Sequence, residues 1–140
     1  MTQKQEGIDL PEYGTEHWDE VFSICSASID FMARVIYQRN KEVGWWPENP
    51  EDRNKGEILA LIHSEVSEAL EGIRKDLQDD HLPHRKMVEV ELADTIIRIL
   101  DMAGAYGYDI GGAIYEKFKY NQNRADHKLA NREKDGGKKF

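Results

Sequence analysis

The sequence predicts an all-α fold, a bundle of four to five helices assembled as a homo-oligomer. Three observations lead there. Apolar residues recur at helical spacing in four separate segments. No stretch alternates apolar and polar residues between hairpin turns, as a half-buried strand does. One segment, MVEVELADTIIRILDMAGA over Met87–Ala105, is apolar on nearly every side, and such a helix is buried on most sides. A small bundle covers one side of it, so a second copy of the chain is expected to cover another.

Residues 1–14 are polar and irregular, with Pro11 and Gly14, and are expected to form an arm. Thr15 suits an N-cap, and Glu16, Asp19 and Glu20 supply the acidic first turn that complements the helix dipole. Trp18, Val21, Phe22, Ile24, Cys25, Ile29, Met32, Val35 and Ile36 carry the first helix to about Lys41, and Gly44 ends it. The segment WWPENPEDR, Trp45–Arg53, holds two prolines and is expected to be a loop. Asn54 followed by Glu57 resembles a capping box. The second helix then runs to about Leu77 on a core stripe of Ile58, Ile62, Val66, Ala69 and Ile73. Gln78–His81 is a polar break, and Pro83 suits the first turn of the third helix, which continues through Met87–Ala105 to near Gly107. Asp109 can cap a fourth helix, Ile110 to about Arg124, weakened by Gly111 and Gly112. The expected single domain is thus 15–126, followed by a charged tail over 127–140 with little to bury.

The chain has 140 residues and a net charge of −8. That length suits one domain. The acidic balance speaks against a nucleic-acid surface, which needs basic patches, but not against a small phosphate ligand. Cys25 is the single cysteine, so no disulfide framework forms within the chain. No apolar run reaches membrane-spanning length, and Met1–Leu10 lacks the apolar core of a signal peptide. A cytoplasmic protein with neither membrane nor nucleic acid as partner is expected.

The chemistry concentrates in two pairs of acids. Glu91 and Asp94 lie three residues apart on the apolar third helix, hence on one face. Ionised carboxylates in such a setting need compensation. Glu65 and Glu68 repeat the spacing on the second helix, on a stripe with Leu61 and Gly72 beside the core stripe. A short connection makes the two helices antiparallel neighbours. If the stripes face each other, four carboxylates converge, and a hard divalent cation, Mg²⁺ or Mn²⁺, is the economical neutraliser. The alternative is a buried salt bridge, with Arg98, one turn after Asp94, as its natural partner. A di-iron carboxylate site needs Glu-x-x-His on two helices, and that motif occurs nowhere in the chain. His63, His81 and His84 are not at ligand spacing.

Lys117, Asn121 and Arg124 share a face of the fourth helix at i, i+4 and i+7. Together they offer a point charge, an amide and a bidentate fork to phosphate. Lys119 and Lys128 nearby make a solvated basic face the plainer alternative. Trp45 and Trp46 can stack on a base or ribose, or anchor the loop on the bundle.

The ordered pairs Glu65-x-x-Glu68 and Glu91-x-x-Asp94, followed by Lys117-x-x-x-Asn121-x-x-Arg124, resemble the signature of the MazG-like, all-α nucleoside triphosphate pyrophosphohydrolases. The resemblance covers roughly Lys55 to Arg124. It implies hydrolysis of a (deoxy)nucleoside triphosphate to monophosphate and pyrophosphate, with Mg²⁺ (or Mn²⁺ in its place), in dimers or tetramers. By that resemblance Glu65, Glu68, Glu91 and Asp94 are the metal ligands, and Glu65 or Glu68 orients or deprotonates the water that attacks the α-phosphorus. Lys117, Asn121 and Arg124 contact the substrate, with Trp45 and Trp46 as candidates for its base. Many members carry Glu immediately before the first motif acid; here Ser64 stands there. A dimeric dUTPase or dCTP pyrophosphatase is a reading within the same class. A non-catalytic helical interaction module, its acids paired with Arg98 and lysines, is the reading from another.

Overall fold

The computed structural model describes residues 9–124 and 128–138. Residues 1–8 of the expected arm, 125–126 at the end of the expected domain, and 127 and 139–140 of the expected tail lie outside the described residues. The chain is helical: α1 is Glu16–Glu42, α2 Lys55–Arg74, α3 Met87–Tyr106, α4 Ile110–Asn123 and α5 the single turn Leu129–Arg132. Among the described residues the β content is one isolated bridge, Gln78 with Lys86. No helix of the described residues is long and apolar enough to cross a membrane. The chain forms two compact units, 29–110 and, within the described residues, 1–28 with 111–140.

The helix ends follow local chemistry. Thr15 Oγ1 accepts the N–H of Trp18 at 3.2 Å, opening α1 as an N-cap does. At the other end Gly44 takes φ +88°, its N–H donates to the Lys41 carbonyl, and the Trp45 N–H donates to that of Asn40. This is a Schellman closure, and it needs the left-handed conformation that glycine adopts without penalty. Asn54 Oδ1 accepts from Gly56 N–H at 2.9 Å and Glu57 N–H at 3.3 Å, opening α2.

The connection from α2 to α3 differs from the sequence expectation. α2 stops at Arg74 rather than Leu77, and Pro83 lies outside α3, which begins at Met87. The buried Asp79 is the cause. Its carboxylate accepts the N–H groups of His81 and Leu82 at 2.9 and 2.6 Å, and its own N–H donates to the Arg85 carbonyl. An Asp that bonds its own following backbone builds a turn, so the backbone around Pro83 is already committed elsewhere. Met87 N–H then donates to the Leu77 carbonyl and closes the loop over α2.

In the 29–110 unit, α2 and α3 run antiparallel: Gly72 meets Met87, Glu65 meets Arg98, and Ile58 meets Met102. The inward line of α2 is Ile58, Ile62, Glu65, Ala69 and Gly72, at helical spacing. The expected stripe held Val66 and Ile73 instead, and both are exposed. Glu65 and Gly72 therefore sit on the buried line itself, not beside it. α1 crosses α3 where Ala33 packs with Leu100 and Ala103. Gly104 makes that approach possible, since a Cβ there would stand 2.5 Å from both the Ala33 carbonyl oxygen and the Tyr37 Cβ.

Outer apolar stripes remain uncovered. They comprise Phe31, Met32 and Val35 on α1, Val66, Leu70 and Ile73 on α2, and Leu92, Ile96 and Ile99 on α3. In the other unit Tyr13, Trp18, Phe22, Tyr115 and Phe118 form a continuous aromatic cluster, with Tyr13 edge-on to Trp18 at 4.8 Å. Tyr13 ties the arm to this cluster by its ring contacts, while the arm residues around it are mostly exposed. Beside the cluster, Asp19 accepts from Lys119 Nζ and Tyr115 Oη, both at 3.0 Å, and these contacts hold its carboxyl below the usual range.

Gly104→Ala is expected to destabilise the protein by about 1–3 kcal/mol, the usual cost of forcing a group into a filled space. A lower urea midpoint with an unchanged slope would be the signature.

Candidate metal centre

Three of the four acids predicted to converge, Glu65, Glu91 and Asp94, gather in the seam between α2 and α3. Glu65 and Glu91 are buried and Asp94 is exposed, and each offers a carboxylate oxygen within 4.8 Å of the others. Glu68 is exposed and is not one of this trio, but its negative charge acts on Glu91. The seam is closed by Gly72 against Met87 on one side and by Ile58 against Met102 on the other.

Burial is the main force on Glu91. It disfavours the charged form, and a hydrogen bond with Glu65 and the charges of Glu68, Glu65 and Asp94 push the same way. Together they raise the Glu91 carboxyl from 4.5 to about 7. The cluster thus holds more negative charge than its surroundings neutralise. The neighbouring Thr95 hydroxyl donates to the Glu91 carbonyl at 2.8 Å, staying within its own helix and leaving the acids to one another.

Arg98 does not pair with Asp94, the partner that one-turn spacing suggests. Its Nε donates across the seam to Glu65 Oε1 at 2.6 Å. Arg98 lies on the line Glu91, Thr95, Arg98, Met102 that α3 turns toward α2. The interhelical partner wins because the antiparallel packing brings Glu65 opposite it.

The two tryptophans separate. Trp46 is 5% exposed, and its indole N–H is shared between both carboxylate oxygens of Asp101, each at 3.0 Å. Arg53 lies over its ring at 4.4 Å, and Tyr37 and Tyr106 meet it edge-on. Trp46 is an anchor of the loop. Trp45 is 74% exposed and presents its ring outward. Asp101 escaped the sequence reading, although an acid seven residues after Asp94, on the same face of an apolar helix, was a usable signal. The loop is pinned again by the Tyr106 hydroxyl, which donates to the Pro50 carbonyl at 3.0 Å.

Lys117, Asn121 and Arg124 belong to the 111–140 segment and share a face of α4, with Arg124 just past its end. The Tyr120 ring lies beside two of them, a neighbour not foreseen from spacing. Lys117 Nζ stands 4.6 Å from its ring centre and the Arg124 guanidinium carbon 5.8 Å, distances at which cations are held by the ring face. The buried Asn121 Oδ1 has no hydrogen-bond partner among the described residues.

No family model, curated protein or solved structure matches this chain.

Trp46→Ala is expected to cost roughly 3–5 kcal/mol, and Trp45→Ala less than about 0.5 kcal/mol, by chemical denaturation. Glu91 adds a pH dependence. Its folded-state pKa of about 7 exceeds its ordinary 4.5, so between these values the folded chain keeps a proton that the unfolded chain has lost. Stability in a chelating buffer is therefore expected to fall as pH rises through that window. Glu91→Gln should flatten this dependence.

Proposed function

We propose that the chain hydrolyses (deoxy)nucleoside triphosphates to the nucleoside monophosphate and pyrophosphate at the α2–α3 carboxylate cluster. The observation that carries this reading is the convergence of carboxylate oxygens from Glu65, Glu91 and Asp94 within 4.8 Å of one another in the α2–α3 seam. The donor set fits Mg²⁺ or Mn²⁺: it is all oxygen, as hard cations require, and its exposed members leave room for waters and phosphate oxygens. Glu65, Glu68, Glu91 and Asp94 would hold the ion. When bound, such an ion supplies Lewis acidity and lowers the pKa of water.

The side chains have distinct tasks in this reading. Glu68, exposed at the rim, or Glu65, buried in the seam, orients the attacking water and takes its proton. Water attacks the α-phosphorus and pyrophosphate leaves. By the motif resemblance, Lys117 and Arg124 would neutralise charge on the phosphates and Asn121 would offer its amide, from this chain or from a neighbouring copy. Trp45, exposed on a pinned loop, is the candidate stacking surface for the base. The motif order that resembles the MazG-like enzymes supports the same assignment. A dUTPase or dCTP pyrophosphatase is the same chemistry with a narrower base preference.

The working form is proposed to be a homo-oligomer, dimer or tetramer. The uncovered stripes of α1, α2 and α3 support this, since contiguous apolar surface usually marks an interface. The Arg98–Glu65 pair is the one observation that favours the other reading, a non-catalytic helical module whose acids are neutralised internally.

A panel of (deoxy)nucleoside triphosphates, assayed with Mg²⁺ and Mn²⁺ for pyrophosphate against orthophosphate, tests the proposal. Pyrophosphate is the expected product; orthophosphate alone, with no pyrophosphatase added, would exclude attack at the α-phosphorus. Glu91→Gln is expected to lower turnover at least about a hundredfold while leaving a folded protein, because the neutral amide resembles the protonated acid. Normal turnover in that variant would sink the assignment.

A further inference from the structure

Arg98 is the group that the proposed reaction does not use, and it reaches from the exposed edge of the seam to Glu65. Its Nε is 2.6 Å from Glu65 Oε1, so it engages one of the carboxylates whose oxygens gather with those of Glu91 and Asp94. The two partners differ in freedom. The Glu65 side chain is 10% exposed and enclosed by both helices, whereas that of Arg98 is 43% exposed. Withdrawing Arg98 would leave its guanidinium in water, where its charge is well solvated. Glu65 has no equivalent route out.

We propose that Arg98 is the resident counter-cation of the cluster, bound to Glu65 in the cation-free protein and displaced from it when a divalent cation enters. The inference rests on reading the cluster as a metal site and adds a control to it. A divalent ion held by Glu65, Glu91 and Asp94 would stand within a few ångströms of the guanidinium, and like charges at that distance repel strongly. Arg98 and the ion therefore compete for Glu65. The pair occupies Glu65 when the ion is scarce, and it sets the ion concentration at which the site loads.

Mn²⁺ titration without nucleotide, followed by calorimetry and by the electron paramagnetic resonance of free Mn²⁺, tests this in the full chain. Wild type is compared with Arg98→Gln, with Arg98→Met, which keeps the apolar stem, and with Arg98→Lys, which keeps the charge. Both neutral variants are expected to bind Mn²⁺ about tenfold more tightly than wild type, as removal of one nearby positive charge implies. Arg98→Lys is expected to stay near wild type. A structural role alone would not separate the lysine variant from the neutral ones.

Equal or weaker binding by the neutral variants, with wild type binding normally, overturns the competition and leaves the metal reading intact. Binding by Arg98→Lys as tight as by the neutral variants also overturns it. Binding by the neutral variants alone supports it and shows the wild-type site closed by Arg98. No binding by any of the four proteins overturns both the inference and the metal reading.

Discussion

Two carboxylates lie in the seam between a pair of antiparallel helices, and their charge has to be compensated there. Glu65 and Glu91 occupy positions that an ordinary bundle fills with leucine or isoleucine, between the Ile58–Met102 and Gly72–Met87 contacts. A buried carboxylate without partners costs several kcal/mol. The chain meets that cost in two ways, an arginine on Glu65 and a proton retained by Glu91 up to about pH 7. Each is a cation substitute of a different kind. A seam of leucine and isoleucine would need neither device.

The rest of the 29–110 unit fixes the register of that seam. Asp79 builds the turn that returns the chain onto α2, and the Met87 N–H closes it on Leu77. At the far end Trp46 is locked between Asp101 and Arg53, and Tyr106 holds Pro50. A slip of one residue in α3 would turn Glu91 away from Glu65 and break these loop contacts together. The uncovered apolar stripes have no such fixed partner within the described chain.

Much of the helical framework was readable in advance because its signals are local. Thr15, Asn54 and Gly44 act within one turn of themselves, through hydrogen bonds and φ preferences that depend on few neighbours. The meeting of Glu65 with Glu91 and Asp94 was also readable, since spacing places acids on one face of each helix and a short connection turns the faces together; Glu68, expected with them, stays exposed outside the trio. The inward line of α2 was not. Val66 and Ile73 look like core by hydrophobicity, yet Glu65 and Gly72 are the residues inside, because the approach of α3 selects a line that can hold a glycine against Met87 and an acid against an arginine. Pro83 misled for a related reason: a proline favours a first helical turn only when the backbone around it is not already held by a residue such as Asp79.

The sequence by itself determined the helical class, the helix ends at Thr15, Gly44 and Asn54 and which acids stand in pairs, since these depend on period and nearest neighbours along the chain. Only the tertiary structure decided that Arg98 crosses to Glu65 rather than bonding Asp94 one turn away, that Asp101 receives Trp46, and that Trp45 is left exposed beside its buried neighbour. Those choices depend on which side chains meet across helices, and a charge takes the partner that packing brings within reach.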